Sequence, residues 1–325
     1  APRDELPLRV RRETSAVPRA EGHRGVPVDA VDRVQLALAG NFSAAVIGAD
    51  GCRRLDSWRS VTLSPGETLR CGMLSPGRVG YLALAGISIP KQLGSASTYA
   101  PAGLGGLDGR CLSPGVRLPV GQGRAGQQML RTLPPLDAAP IRVVPGPQED
   151  YFTAASLACF LGEAYQISAA TDRMGMRLEG PVLRHRPEKG FEITSDATVP
   201  GSIQVPGQGQ PIVLLADGHT AGGYPKIATV ISADLPRLAV LAPGQCIRFA
   251  AVSVADAERA ARARAAALHA LIAGIGPLVE VGMPDLQAIY AANLVSGVVD
   301  AREEDPVART ATPVQDSPSS RWERG

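Results

Sequence analysis

One four-residue phrase recurs along this chain and restricts its folding more than any other feature. Leu63-Ser-Pro-Gly66 precedes Thr68-Leu69-Arg70, Leu112-Ser-Pro-Gly115 precedes Arg117-Leu118, and Leu241-Ala-Pro-Gly244 precedes Ile247-Arg248-Phe249. A fourth copy, Leu74-Ser-Pro-Gly77, precedes Val79–Leu84. Proline presets φ at the first turn position, and glycine accepts the positive φ that a type II turn demands at the second. Each copy therefore reads as a tight turn feeding a short strand. Short strands divided by such turns indicate barrels or sandwiches rather than a parallel sheet with crossover helices. The phrase stands in both halves, which points to two related lobes.

Composition agrees. Glycine (36) and proline (28) make up about a fifth of the 325 residues, above what helical bundles carry and below the roughly 25–30% of unpatterned low-complexity chains. A 45% hydrophobic content supplies real cores, and the length corresponds to about two domains. A net charge of +2 argues against a protein built to neutralise phosphate, so no nucleic-acid partner is expected. Among the 33 basic residues only Lys91, Lys189 and Lys226 are lysines, which makes each worth locating. The five cysteines are scattered and odd in number, with no C-x-x-C pair, so neither a zinc site nor a disulfide framework is indicated. The expectation is reduced, mostly buried thiols in a cytoplasmic protein. The longest apolar stretch, Ala265–Val279, contains His269 and Pro277 and falls short of the ~20 residues a bilayer span needs. No membrane partner is expected, and the charged Ala1–Arg12 lacks a signal-peptide core.

Helices are few. Asp29–Gly40 places Val31, Val34 and Leu38 at helical spacing, Tyr151–Gly162 is a second candidate, and Asp285–Val298 a last one. In Ala255–Ile275, Ala261, Ala265, Leu268, Ile272 and Ile275 form one stripe, Ser253 with Asp256 resembles a capping box, and Gly274 and Gly276 end the run. Gly121–Pro147 reads as the connection between lobes, and Asp300–Gly325 as a mobile tail. The expected organisation is a shortened first lobe over 1–125, a second over 126–276, and a helix with its tail over 277–325.

Three segments of the second half carry chemistry. In Tyr165–Pro181, Arg173 and Arg177 stand four apart, able to clamp a carboxylate or phosphate, or to pair with Asp172 and Glu179 on a wet strand face. In Pro200–Gly207, Gln204 is flanked by Pro-Gly turns; it presents an amide to a polar ligand or is a β-edge polar group. In Asp217–Lys226, His219, Thr220, Tyr224 and Lys226 surround the Gly222-Gly223 pair. Glycine-turn N–H groups can bind an anion, Lys226 can add a point charge, and His219 suits proton transfer near neutral pH. A hairpin with a solvated lysine and a packed histidine fits as well. No P-loop, G-x-S-x-G elbow or HExxH occurs.

These same segments resemble the allophanate hydrolase subunit 2 family, the KipA-like proteins that include the C component of 5-oxoprolinase (PxpC). The matching text comprises Ile141–Gln148, Asp172–Pro181, Gly201–Pro206 and Gly222–Arg237, with Gly25–Val28, Gly48–Asp50, Leu93–Thr98 and Gly105–Arg110 upstream. It departs from the family pattern at Ser15–Gly22, at Ala96, His219 and Ala221, and in Asn41–Val46, which lacks the strand-forming sequence expected there. The resemblance implies a mainly β protein of two cyclophilin-like β-barrel lobes with a few peripheral helices. It implies ATP-dependent cleavage of 5-oxoproline to glutamate, with ATP used by the complex and this chain inactive alone. The implied partners are a KipI-like protein as the B component and a LamB/YcsF-like protein as the A component. Arg173, Arg177, Gln204, Thr220, Gly222, Gly223 and Tyr224 become substrate-binding candidates for a small amide, His219 and Lys226 catalytic candidates, and no metal is implied. A biotin-dependent carboxyltransferase component acting on urea, or a non-catalytic regulator binding a KipI-like protein, are the alternatives.

Overall fold

Alternation of apolar and polar residues builds the first half. In Val34–Ala39 the side chains of Val34, Leu36 and Leu38 are buried and those between are half-buried, the period of two that a one-face-buried strand imposes. The helix expected over Asp29–Gly40 is therefore two strands. Val31, counted toward the helical stripe, is exposed in the turn between them. In this computed structural model, residues 8–10, 26–75, 77–121, 126–134 and 138–278 are described. The helix expected over Asp285–Val298 and the tail over Asp300–Gly325 lie outside them.

Strands β1 (Leu8–Val10), β2 (Val26–Ala30), β3 (Val34–Ala39), β4 (Phe42–Gly48), β5 (Gly51–Leu55), β6 (Arg59–Leu63), β7 (Thr68–Leu74), β8 (Tyr81–Leu84), β9 (Arg117–Leu118) and β10 (Gln128–Leu130) come first. Strand β4 occupies the stretch that was expected to lack one; Ala44 and Val46 turn inward and are buried. Strands β5-β4-β7-β2-β1-β9 form one sheet. Val28, Leu36, Leu38, Val46, Val61, Leu63 and Leu69 dominate the core of this half.

The second half holds β11 (Ile141–Pro145), α1 (Ala154–Gly162), β12 (Tyr165–Ile167), β13 (Gly175–Glu179), β14 (Asp196–Ala197), β15 (Ser202–Gln204), β16 (Ile212–Leu214), β17 (Ala221–Gly222) and β18 (Lys226–Val230). Helix α2 (Leu235–Val240), β19 (Cys246–Ile247), β20 (Phe249–Ala251), α3 (Val254–Ala273) and β21 (Ile275–Pro277) complete it. The segment read as a connection thus contains β10 and β11. The main sheet runs β19-β12-β13-β16-β15-β18-β11-β20. Its two edge strands are consecutive pieces of one segment, parted only by Arg248, whose carbonyl accepts from Ile141 N at 2.8 Å. The sheet returns to its own start as a nearly closed barrel around Phe152, Phe160, Tyr165, Met176, Ile203, Val213 and Phe249. The protein is mainly β.

The recurrent turns form as their sequence demands. Gly66, Gly77, Gly115 and Gly244 have φ of 84°, 108°, 94° and 87°. Glu67, Val116 and Gln245 close three of the turns by donating N–H to the carbonyls of Ser64, Ser113 and Ala242 at 3.0, 3.1 and 3.2 Å. Helix α3 begins at the expected box: Ser253 Oγ accepts from Asp256 N at 3.1 Å, and Asp256 Oδ2 accepts from Ser253 N at 3.4 Å. Its apolar stripe faces solvent, with Leu268 and Ile272 exposed. The helix then delivers β21 to the first half, where the sheet order is β21-β10-β6-β3-β8. Among the five cysteines, which are all free, Cys52, Cys111 and Cys246 are exposed, contrary to the expected burial. No helix among the described residues is long and apolar enough to cross a membrane.

Candidate functional site

The register of the barrel sets one row that carries three polar residues across four strands. Arg177 on β13 faces Ile212 on β16, which faces Gln204 on β15, which faces Lys226 on β18. Ile203 and Val205 point into the core and are 0% exposed, so Gln204 between them points out. Gln204 is nevertheless buried, as is Lys226. The two-stranded ribbon of β14 and β17 supplies part of their cover. A Cβ placed on Gly222 of β17 would lie 2.3 Å from Gln204 Nε2, so a larger residue there would have to push aside the ribbon or the amide end of Gln204. That amide nitrogen is buried with no hydrogen-bond partner. A buried donor left unpaired costs stability and calls for a reason, and a ligand group is one.

Lys226 Nζ donates to Asp196 Oδ2 at 2.6 Å and to the Ala197 carbonyl at 2.9 Å, tying β18 to the ribbon. Gln148 braces the same knot, donating from Nε2 to Asp196 Oδ2 at 3.2 Å and accepting from Lys226 N at 3.2 Å. The Lys226 bond first, then that from Gln148, holds the Asp196 carboxyl below its ordinary value. Gly222 pairs with Asp196 in the ribbon, and the Gly223 carbonyl accepts from Ile193 N at 2.9 Å. His219 and Thr220 are exposed; their carbonyls accept from Thr198 Oγ1 and from Thr198 N. Tyr224 is half-exposed.

Arg173 belongs to a separate construction. Asp172 Oδ1 accepts from Met174 N at 2.8 Å and from Gly175 N at 3.0 Å, a side-chain turn that puts Arg173 at its tip. The guanidinium does not pair with Asp172. It donates from Nε to Asp217 Oδ2 at 2.7 Å and from Nη2 to Asp217 Oδ1 at 3.0 Å. Hydrogen bonding to Asp217, then its charge, raises the Arg173 pKa further, with smaller contributions from Cys111 and Tyr81 of the first half. Arg177 lies on the exposed face of β13. The structure thus brings Gln204, Gly222 and Lys226 together and gives Arg173 a partner. Sequence reading missed Asp217, Asp196 and Gln148. Asp217 opens the Asp-Gly segment that leads to the glycine pair, but a pairing across 44 positions leaves no local spacing signal.

With this geometry in view, relatives are informative. Residues 23–251 match the sequence family described as carboxyltransferase domain, subdomain A and B. The chain belongs to this family. Over 225 residues it is 39% identical to the C component of 5-oxoprolinase from Escherichia coli strain K12, covering 66% of this chain and 71% of that one. Urea amidolyase of Lachancea kluyveri is 28% identical over 261 residues, 73% of this chain but 14% of the relative. The crystal structure of the Kluyveromyces lactis urea carboxylase superposes with a TM-score of 0.66 at 23% identity, covering 77% of this chain and 24% of that one. That last likeness speaks for the fold. The chain therefore corresponds to most of the bacterial protein and to a minor part of the fungal ones.

Proposed function

We propose that this chain is the C-type component of an ATP-dependent 5-oxoprolinase, opening the lactam C–N bond of 5-oxoproline by net addition of water to give glutamate. Similarity to the bacterial protein supplies the substrate class, and one structural observation carries the reading at this site. Arg173 presents a guanidinium held in plane by a carboxylate, with an N–H fork left over for a second carboxylate. Gln204, whose unpartnered amide nitrogen is buried beneath the ribbon, is a second candidate for a polar ligand group, apart from the Arg173 turn. His219, exposed beside the ribbon, serves in proton transfer, and Lys226 latches the ribbon. Gly222, Gly223, Thr220 and Tyr224 shape the margin, with Arg177 further along the row.

Lys226, the lysine beside the glycine pair, already has two acceptors, and these residues do not fit a triphosphate site. ATP is accordingly assigned to the complex, which this chain completes with a KipI-like B component and a LamB/YcsF-like A component, being inactive alone. Reconstituted subunits should release glutamate from 5-oxoproline only with ATP and only when this chain is present. Full activity without it would sink the reading. The match to urea amidolyase favours a second reading, a biotin-dependent carboxyltransferase component. Urea-dependent consumption of bicarbonate with a biotinylated carrier, and no glutamate release, would establish that one instead.

A further inference from the structure

We propose that Asp217 is the positioning residue of the anion site, fixing the plane and direction of the Arg173 guanidinium that meets the substrate carboxylate. The inference rests on the reading of Arg173 above. The pair is lopsided: the Arg173 side chain is 75% exposed and that of Asp217 only 15%. An ion pair with so exposed a partner adds little to stability. Orientation is what the contact supplies, because a long side chain free in solvent samples many rotamers before it binds anything.

Both ends of the pair are held by the backbone. Asp217 N donates to the Arg173 carbonyl at 3.1 Å and Leu215 N to the Met174 carbonyl at 3.0 Å, so the two segments are zipped together at the site. A Cβ on Gly218 would lie 3.0 Å from the carbonyl oxygens of Leu215 and Met174, closer than a neighbour tolerates without shifting. Asp172 fixes the other side of the Arg173 turn through Met174 N and Gly175 N. The carboxylate thus stands on a braced loop, and the arginine that leans on it inherits its direction.

Guanidinium chemistry completes the argument. Arginine carries five N–H donors in a planar fork. Asp217 takes one from Nε and one from Nη2. Among the described residues nothing else accepts from this side chain, so Nη1 and the second hydrogen of Nη2 form a free edge. That edge matches a carboxylate bidentately. Asp217 also offsets part of the positive charge, so the site selects by geometry more than by attraction for any anion. The ligand class is a small lactam bearing a carboxylate.

The test is calorimetric titration of the reconstituted complex with 5-oxoproline and with 2-pyrrolidinone, the same lactam without its carboxylate. Arg173→Ala should bind both alike. Asp217→Ala should weaken 5-oxoproline by roughly 10–100-fold, the scale of one charged hydrogen-bonded contact, and leave 2-pyrrolidinone unchanged. Asp217→Glu should recover most of the loss, and Asp217→Ala should add less than about two-fold in the Arg173→Ala background. Asp217→Asn, which keeps the shape, replaces the alanine variant if that one does not fold. Wild-type affinity for 5-oxoproline in Asp217→Ala, beside lost selectivity in Arg173→Ala, overturns the role of Asp217 and leaves that of Arg173 standing. Selectivity that survives Arg173→Ala overturns both, and a wild-type complex that binds neither lactam overturns the proposed function as well.

Discussion

Two kinds of glycine divide the labour of this chain, and they respond to substitution for different reasons. At Gly66 and Gly244 an added Cβ would meet nothing within 4 Å, but φ is 84° and 87°. Alanine there costs backbone conformation alone, about 1–2 kcal/mol. Gly222 has no positive φ; its constraint is the Gln204 amide 2.3 Å from where a Cβ would stand. Gly222→Ala must displace either the ribbon or the amide, which is expected to cost about 1–3 kcal/mol and to weaken substrate binding, whereas Gly66→Ala should lower Tm without touching binding. Gln204 gives the complementary expectation. Its Nε2 is buried and unpartnered, so Gln204→Met, similar in length, removes a penalty of about 1 kcal/mol or more. Thermal melting should show a variant as stable as wild type or more so, while glutamate release falls. Lower stability in that variant would mean the amide has an acceptor in the free protein. At this scale the candidate site is half legible. Gln204 and the glycine pair stand out because Pro-Gly turns frame them, whereas Asp217 and Asp196 meet their partners only through the folded register.

At the scale of elements, the error over Asp29–Gly40 shows what spacing alone leaves open. Val31, Val34 and Leu38 satisfy a helical period, yet Val34, Leu36 and Leu38 satisfy a strand period equally well. The partners decide: Leu36 pairs with Val61 on one side and Leu84 on the other. Helix α3 was legible because its cap and its end are local. Helix α2 depends instead on a charge knot. Asp234, at its N-cap and 0% exposed, accepts from Arg142 N at 2.8 Å, Nε at 3.1 Å and Nη2 at 2.6 Å. Arg237 Nη1 approaches the same carboxylate at 3.3 Å. Burial by itself would raise the Asp234 pKa, but the Arg142 side-chain and backbone bonds outweigh it and hold the group below its ordinary 3.8. A carboxylate depressed in the folded state contributes stability above its unfolded pKa and loses it as pH falls through the folded value. Denaturant unfolding of Asp234→Ala should therefore show a loss of about 1–3 kcal/mol at pH 7, the scale of a buried hydrogen-bond acceptor removed from its donors. Below about pH 4 the gap to wild type should narrow. A gap that stays constant into acid would mean that packing, not charge, accounts for the loss.

Across the whole molecule the two halves share a detail finer than the turn phrase itself. Glu67 Oε2 accepts from Ser64 N at 2.7 Å, and Gln245 Oε1 accepts from Ala242 N at 2.6 Å, so one carboxylate and one amide close equivalent turns in both cores. Repetition of that kind is written locally and is legible in the sequence. The way the halves are joined is not. Arg78 donates from N and Nε to the carbonyls of Val240 and Ala239 at 3.0 and 3.2 Å, at the end of α2. Strand β21 pairs with β10, matching Ile275 to Leu130, Gly276 to Met129 and Pro277 to Gln128. Neither contact has a signature in spacing, because each depends on where α2 and α3 end in space. Both have a consequence for truncation. A chain ending at Gly274 lacks β21 and leaves β10 as an unpaired edge beside β6, with Leu130, now 8% exposed, on that edge. Open strand edges promote association between copies. Compared with a chain ending at Leu278, it should melt at lower temperature and elute as larger species in size-exclusion chromatography. The unfolding should begin in the first half, read by Trp58 fluorescence, because Trp58 donates to the Leu38 carbonyl at 2.7 Å and accepts from Leu130 N at 2.9 Å. Equal melting of the two truncated chains would show that β10 holds its place in the first-half sheet without β21.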